Sequence, residues 1–244
     1  MKADEWDSIA SDYFTEIVSP FAHQSTKKQL LSEIRRHSDK GLKVIELGCG
    51  IGTLIHFLSK HFGSVHAIDF SPEMVKEAEK HARKNVTLAV ADILEVKGSY
   101  DMAVAINSIL APDIRKVEAM MGNVNALLKE GGLLVGVFPA MEGVLNIAML
   151  AYQAELDSGK SRRRARQRLS YKLDEKCYDF LLGLQDYAGR QKFYYGFELD
   201  YRLIKAGFKE VERTRLEYPW SAFNDGLRFP GQPKPWDWLV VARK

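Results

Sequence analysis

The stretch VIELGCGIGTL (Val44–Leu54) places three glycines at alternate positions directly after a short apolar run. That run, LKVIEL (Leu42–Leu47), contains β-branched residues and has glycine on both sides, which predicts a buried strand. The residues that follow, Thr53–His61, carry apolar side chains at helical spacing. The sequence therefore predicts a strand, a glycine-rich turn and a helix, and glycine lets the backbone of the turn pass close to a ligand.

Short apolar runs and helical patterns continue to alternate as far as Pro139. Four further strands are predicted, at Ser64–Asp69, Asn85–Asp92, Tyr100–Asn107 and Leu133–Pro139. Helices are predicted to begin near Ser71, a good N-cap that is followed by proline, and near Asp113. This alternation predicts an α/β fold with a three-layer, doubly wound, mostly parallel sheet, which binds ligands at the carboxyl ends of its strands.

The pattern changes after the fifth strand. Residues 141–195 are mostly helical in pattern, which predicts a helical lid inserted at this point. An amphipathic helix (Phe197–Phe208) and two strands (Lys209–Tyr218 and Trp236–Arg243) then return to the pattern of the core. We therefore expect residues 1–244 to form a single domain, with a helical cover formed by residues 1–40.

Three kinds of ligand or role are compatible with the glycine stretch. A tight turn without a ligand would explain one or two of the glycines. A dinucleotide site has the pattern G-x-G-x-x-G, but Thr53 stands here where the third glycine of that pattern would be. The third possibility rests on a family resemblance.

The pattern Glu46-x-Gly48-x-Gly50-x-Gly52 strongly resembles the first motif of the class I S-adenosylmethionine-dependent methyltransferases. The resemblance covers residues 42–139 and resumes from Phe197 to the C-terminus. It implies a Rossmann-like sheet of seven strands, in which the last strand runs antiparallel between the fifth and the sixth. It also implies S-adenosylmethionine as the cofactor and methyl transfer by direct displacement as the activity.

The resemblance also implies a set of cofactor-binding residues at the ends of the first four strands. In that family an acid at the position of Asp69 accepts hydrogen bonds from both ribose hydroxyls, and one at Asp92 meets the adenine amino group. The full set comprises Glu46, Gly48, Cys49, Gly50, Gly52, Asp69, Phe70, Asp92, Ile93 and Asn107. Carboxylates at successive strand ends can accept hydrogen bonds from a diol and an amine. The glycines are not followed by the lysine that binds phosphates in a Walker loop. Each acid alone is also compatible with a turn or a helix cap.

The methyl acceptor is expected to be a small molecule held by aromatic side chains. Tyr13, in the N-terminal segment WDSIASDYF, resembles an aromatic residue that closes over the cofactor in many enzymes of this class. Tyr194 and Tyr195, in FYYGF at the end of the insertion, are further candidates for acceptor contacts, although tyrosines at such spacing also pack in helical cores. No residue stands out as a general base. His23 is a candidate for that role, and the alternative is that His23 is an exposed histidine without a catalytic role. No metal site is predicted, because the sequence has no histidine pair, cysteine pair or carboxylate cluster with the spacing of metal ligands.

Charge does not favour a polymeric partner. The net charge of the 244 residues is only +3 at pH 7, so nucleic-acid or membrane binding would have to rest on local clustering. The run KSRRRARQR (residues 160–168) has six basic residues among nine, which suits either an anionic partner or a solvated helix face. Methylation of RNA or protein through this run is therefore the second hypothesis, and a catalytically silent, cofactor-binding regulatory protein is the third.

The sequence also predicts the compartment. The two cysteines, Cys49 and Cys177, do not indicate a disulfide framework, which favours a reducing environment. The N-terminus lacks the basic and then apolar order of a secretory signal, and no apolar run is long enough to span a bilayer. We therefore expect a cytoplasmic protein with no membrane partner.

Overall fold

The computed structural model describes residues 19–172, 175–186, 189–222 and 228–244. Its strands are β1 (Lys43–Leu47), β2 (Ser64–Asp69), β3 (Val86–Val90), β4 (Tyr100–Ile106), β5 (Leu128–Phe138), β6 (Tyr178–Asp179), β7 (Leu184–Asp186), β8 (Arg190–Lys192), β9 (Glu210–Glu217) and β10 (Trp236–Arg243). Its α-helices are α1 (Gln24–Arg36), α2 (Ile55–His61), α3 (Pro72–Glu79), α4 (Ile114–Leu127), α5 (Met141–Asp157), α6 (Arg162–Lys172) and α7 (Gly196–Lys205). Short 3₁₀ turns lie at Glu175–Cys177 and Trp220–Ala222.

Seven of these strands form one mixed sheet, in the order β3-β2-β1-β4-β5-β10-β9. The strands from β3 to β5 pair in parallel, and β10 runs antiparallel to both β5 and β9. The predicted doubly wound sheet, with its last strand reversed between the fifth and the sixth, is therefore confirmed. The chain proceeds from β1 to β2 and β3 on one side and then crosses to β4 and β5 on the other, so β1 and β4 flank the topological switch point.

Helices cover both faces of this sheet, which makes three layers. On one face, Ile45 and Leu47 of β1 belong to a buried cluster that includes side chains of α4 and α7. On the other face, Val44 packs in a cluster with side chains of α1 and α2. Because both faces are covered, β1 is buried at four successive positions, from Val44 to Leu47, instead of at alternate ones, as expected for a central parallel strand.

The insertion differs from its prediction in its second half. The first half forms the helices α5 and α6, as expected, but β6, β7 and β8 then form a small antiparallel sheet. These strands are two or three residues long, too short to show an alternating pattern, so tertiary contacts decide their conformation. The end of the small sheet is fixed to the main one, because the amide of Lys192 donates to the Leu110 carbonyl (2.9 Å) and that of Tyr194 to Pro139 (2.7 Å).

The N-terminal cover is described only from Ser19 onward. Helix α1 lies against β9, where the Thr26 hydroxyl donates to the Glu217 carbonyl and the Gln29 amide to that of Arg215, both at 2.7 Å. Tyr13 lies outside the described residues. Among the helices of the described ranges, none is both long and apolar enough to cross a bilayer.

Candidate functional site

A cleft opens at the carboxyl edge of the sheet, at the switch point between β1 and β4. It encloses about 890 Å³, part of it open to solvent, which is a usual size for a small-molecule site. Seven of the ten residues expected to bind a cofactor line it, namely Gly48, Gly50, Asp69, Phe70, Asp92, Ile93 and Asn107. The other three, Glu46, Cys49 and Gly52, lie in or beside the loop beneath it.

The loop after β1 depends on its glycines. Gly48, Gly50 and Gly52 have φ values of +73°, +52° and +83°, in the left-handed region that side chains disfavour. A Cβ atom on Gly48 would lie 2.4 Å from the Cβ of Ser108, and one on Gly52 would lie 3.0 Å from Ala78. The alternating glycines therefore let the loop pass close to its neighbours and under the cleft.

Asp69 ties this loop to the end of β2. Its side chain is almost fully buried, and its two carboxylate oxygens accept from the amides of Gly50 (2.8 Å) and Ser71 (3.0 Å). The hydroxyl of Ser71 in turn accepts from the amide of Met74 and caps α3. Because Asp69 also lines the cleft, it can present carboxylate lone pairs to a ligand while it orders the loop.

The far end of the cleft has apolar walls and one acid. Phe70 is 37% exposed toward solvent and the cleft, and Ile93 is buried. One oxygen of Asp92 accepts from the amide of Leu94 at 2.9 Å, and its other oxygen lies 3.6 Å from the ammonium of Lys116. This end of the cleft can therefore hold a planar group with a polar edge.

Three buried oxygens near the switch point have no hydrogen-bond partner among the described residues. They are Oε2 of Glu46, Oδ1 of Asn107 and Oγ of Ser108. Among the described residues other than glycine, Asn107 alone has a positive φ, at +49°. Since buried polar atoms are nearly always paired in folded proteins, the oxygens of Asn107 and Ser108, which line the cleft, indicate where polar groups of a ligand would bind.

Glu46 carries an unusual charge state. Burial and the nearby charge of Asp69 raise the pKa of its carboxyl group from 4.5 to about 8, so it is mostly protonated at neutral pH. Burial, together with the charges of Glu46 and Asp69, also raises the pKa of the Cys49 thiol, so Cys49 is an unreactive neutral thiol.

Replacing Glu46 with glutamine is expected to remove a pH dependence of stability. Between pH 4.5 and about 8 the folded chain holds a proton on Glu46 that the unfolded chain has lost. This contribution is fully present below pH 4.5 and is lost as the pH rises to about 8. The free energy of unfolding of the wild type should therefore fall relative to that of E46Q by about 1.4 kcal/mol per pH unit in this window.

Urea unfolding of both proteins at pH 5, 6, 7 and 8 measures this difference. Glu130→Gln is the matched control, because the Glu130 side chain is 80% exposed and its stability curve should run parallel to that of the wild type. A constant offset between E46Q and the wild type across the four pH values would contradict the assignment.

The structure places the predicted acceptor tyrosines away from the cleft, which corrects that expectation. Tyr194 is fully buried in the core, where its hydroxyl donates to the Ile109 carbonyl at 2.5 Å and its ring packs edge-on against Phe138. Tyr195 is half-buried, donates to the Phe180 carbonyl and stacks on Phe197. Both tyrosines stabilise the base of the insertion and do not line the cleft.

Other residues that line the cleft were not predicted. Ser108 follows Asn107 directly and could have been found from the strand end alone. Lys116 and Met120 come from α4 and Gln191 from β8, and only tertiary packing brings them to the cleft. His23 is not among the lining residues, and its ring lies edge-on to that of Tyr218 at 6.3 Å. Within the described ranges, no group of three or more His, Cys, Asp or Glu residues is placed to hold a metal ion.

Residues 44–132 match a protein family described as "Methyltransferase domain". The match contains most of β1, all of β2 to β4 and of α2 to α4, and the start of β5, and so includes the ends of β1 to β4 that line the cleft. This match, with the seven-stranded order and its reversed strand, supports the resemblance of the chain to the class I S-adenosylmethionine-dependent methyltransferases. Members of that family use S-adenosylmethionine.

Two curated relatives illustrate the sequence similarity. A malonyl-[acyl-carrier protein] O-methyltransferase of Bacillus cereus is 32% identical over 105 residues, which are 40% of this chain and 37% of the relative. A magnesium-protoporphyrin O-methyltransferase of Synechocystis is 24% identical over 151 residues, which are 58% of this chain and 65% of the relative. The chain thus matches less than two thirds of the length of either relative.

Solved structures resemble the chain over nearly its whole length. A complex of DhpI with S-adenosylhomocysteine (SAH) has a TM-score of 0.64 at 19% identity, covering 100% of this chain and 94% of that one. Magnesium protoporphyrin IX methyltransferase from Synechocystis with bound SAH has a TM-score of 0.57 at 16% identity, covering 91% and 82%. At these identities the likeness shows the fold.

Proposed function

We propose that this protein is an S-adenosylmethionine-dependent methyltransferase that acts on a small-molecule acceptor. The observation that carries the proposal is the cleft at the switch point, where a glycine loop ordered by Asp69 meets the buried oxygens of Asn107 and Ser108, which have no partner within the part of the chain that the structure describes. Ligands of open α/β sheets bind at this place in the fold.

The polar groups of the cleft suit the proposed cofactor. Its described lining offers carboxylate, amide and hydroxyl oxygens, with Lys116 as the cation, so it favours hydroxyl and amine donors over phosphates. Asp69 would accept from the ribose hydroxyls and Asp92 from the adenine amine, with Phe70 and Ile93 against the ring. When bound, S-adenosylmethionine supplies a methyl group that is already activated by its sulfonium.

The chain would contribute mainly alignment and the exclusion of water. The apolar lining residues Ile106, Leu110, Ala111 and Met120 adjoin the polar strand ends and limit access of water to the cleft. Holding two reactants in line can lower a barrier by roughly 7–11 kcal/mol in good cases. The size of the cleft supports a small acceptor.

Methylation of RNA or protein is the alternative, and the basic run at the start of α6 would serve it. Two of its cations already have a structural role, because Lys160 and Arg168 both pair with the buried carboxylate of Glu155 on α5. Arg162 and Arg163 are exposed at the start of α6. The ion pairs with Glu155 therefore favour a structural role for this part of the run.

Calorimetry with SAH and transfer of labelled methyl groups test the proposal together. We expect SAH to bind the purified protein, and label from S-adenosylmethionine to reach one class in a panel of phenols, carboxylic acids and amines. Total RNA and cell protein serve as parallel acceptors at low salt. Failure to bind SAH would refute the proposal, label found only in RNA or protein would replace it with the alternative, and SAH binding without transfer to any acceptor would favour a regulatory role.

A further inference from the structure

We infer that Gln191 contacts the methyl acceptor and selects acceptors that carry a neutral hydrogen-bonding group, such as a hydroxyl, a carbonyl or an amide. The inference rests on the proposed function and deepens it, because it names a specificity-determining residue of the same cleft. Gln191 lies on β8, the last strand of the small antiparallel sheet in the insertion, and it lines the cleft.

Among the described residues of the lining, Gln191 alone lies outside the methyltransferase domain match. The others all lie between Gly48 and Met120, within the matched range 44–132. The groups proposed to hold the cofactor are therefore supplied by the part of the chain that matches the family. The two curated relatives are named for different acceptors, malonyl-[acyl-carrier protein] and magnesium protoporphyrin. A residue from the insertion is thus well placed to adapt the cleft to one particular acceptor.

Gln191 lies on the side of the cleft that faces away from the proposed ribose and adenine contacts. The backbone amide of Lys192, the next residue, donates to the Leu110 carbonyl at 2.9 Å, just past the end of β4. In the main sheet, β4 is on one side of β1, whereas β2 and β3, whose ends lead to Asp69 and Asp92, are on the other. The cofactor would therefore leave the side of Gln191 open for the acceptor.

A buried lysine holds Gln191 in this position. The Lys192 side chain is 1% exposed, and its ammonium donates to the carbonyls of Leu182 (2.8 Å) and Phe193 (2.9 Å) and to the carboxylate of Glu198 on α7 (2.8 Å). All three donors of the ammonium are therefore used. Because successive side chains of a strand point to opposite faces, Lys192 fixes β8 to α7 while Gln191 faces the other way.

The chemistry of this side of the cleft suits a neutral group. A glutamine side chain both donates and accepts hydrogen bonds and has no charge to lose or gain. The buried oxygens of Asn107 and Ser108, which have no partner within the described ranges, follow β4 and add uncharged polar groups. The cation of the described lining, Lys116, lies 3.6 Å from Asp92, on the side proposed for adenine. A neutral polar group on an apolar body therefore fits here better than a carboxylate or a phosphate.

Kinetics with paired acceptors test the hydrogen bond. Each pair in the methyl-transfer panel has one member with a hydroxyl, carbonyl or amide beside the group that is methylated, and one with a methyl group in its place. For Gln191→Ala we expect kcat/KM to fall about 10-fold for the polar member and by less than about twofold for the methyl member, with SAH affinity within about twofold of the wild type.

Arg190→Ala is the matched control for this substitution. Arg190 precedes Gln191 on β8, is exposed, and faces the opposite side of the strand. This variant should keep both values of kcat/KM. A folded Q191A variant that discriminates between the paired acceptors as strongly as the wild type would overturn the inference.

Thiol labelling gives a second readout that does not depend on which polar group the acceptor carries. Gln191→Cys is prepared with Cys177→Ser, so that the introduced thiol is the reactive one, since Cys49 is buried and its pKa is raised. N-ethylmaleimide on this thiol should fill the acceptor side, lower methyl transfer about 10-fold or more and leave SAH binding in place. The same label on Arg190→Cys should change neither. Labelled Q191C that transfers methyl groups at the unlabelled rate would also overturn the inference.

The two levels of the proposal fail in different ways. A wild type that neither binds SAH nor transfers methyl groups refutes the proposed function, and the inference about Gln191 with it. A wild type that methylates a small molecule, beside a Q191A variant with unchanged discrimination or a labelled Q191C variant with full activity, refutes only the role of Gln191.

Discussion

Replacing Asp69 with alanine is expected to weaken the binding of SAH by about 100-fold or more. The proposed role of this carboxylate is to accept from two ribose hydroxyls, and hydrogen bonds to a charged group contribute about 1.5–3 kcal/mol each. The substitution also removes the acceptor of the Gly50 and Ser71 amides, so the glycine loop would lose its connection to β2. Calorimetry with SAH measures the affinity, and thermal unfolding followed by circular dichroism shows whether the variant is folded.

Asp92→Asn is the matched control for this prediction. Asp92 also lines the cleft, but its side chain is 34% exposed and one of its oxygens already accepts from the amide of Leu94. A solvated hydrogen bond of this kind contributes less, so we expect a loss of about tenfold or less. A folded D69A variant that binds SAH as tightly as the wild type would remove the proposed ribose contact.

Gly48→Ala is expected to destabilise the fold by about 1–3 kcal/mol and to weaken SAH binding by about 100-fold. The added Cβ would lie 2.4 Å from the Cβ of Ser108, and the φ of +73° at this position is strained for alanine. Since both residues line the cleft, relief of the clash must move the glycine loop or the end of β4. Urea unfolding and calorimetry with SAH measure the two effects.

Two other glycines separate the causes of that effect. Gly131 has a similar φ of +75° with nothing within 4 Å of an added Cβ, so Gly131→Ala carries the backbone strain without the clash. It should cost about 1–2 kcal/mol of stability and leave SAH binding unchanged. Gly122 lies inside α4 with open space around it, and Gly122→Ala should stabilise the protein by about 0.5–1 kcal/mol. Equal SAH affinities for G48A and G131A would show that the close approach to Ser108 has no role in binding.

The sequence alone predicts the central sheet and the loop under the cleft because their signals are local. A short β-branched run, alternating glycines and the serine cap of α3 each specify a backbone conformation within a few residues. The order of the last two strands followed from the family resemblance, and the structure confirms it. Strand ends also show which acids could face a ligand, since parallel strands bring their carboxyl ends to one edge.

The remaining features depend on contacts between distant segments. Tyr194 looks like a ligand contact in the sequence, but its position beside the Ile109 carbonyl makes it a core residue. Gln191 reaches the cleft only because a three-residue strand is held against Leu110. Asp237 has no local pattern at all, and it meets the Tyr218 hydroxyl and the Ala140 amide only because β10 enters the sheet between two other strands. Residues of this kind cannot be found by periodicity, since what defines them is the neighbour they meet.

The position of β10 has a consequence for how the chain reaches its native state. Both of its partners, β5 and β9, precede it in the chain, so each has an unpaired edge until β10 inserts between them. Exposed strand edges promote association between chains. A nascent or cleaved polypeptide that stops before Trp236 would therefore be prone to aggregate and would depend on chaperones.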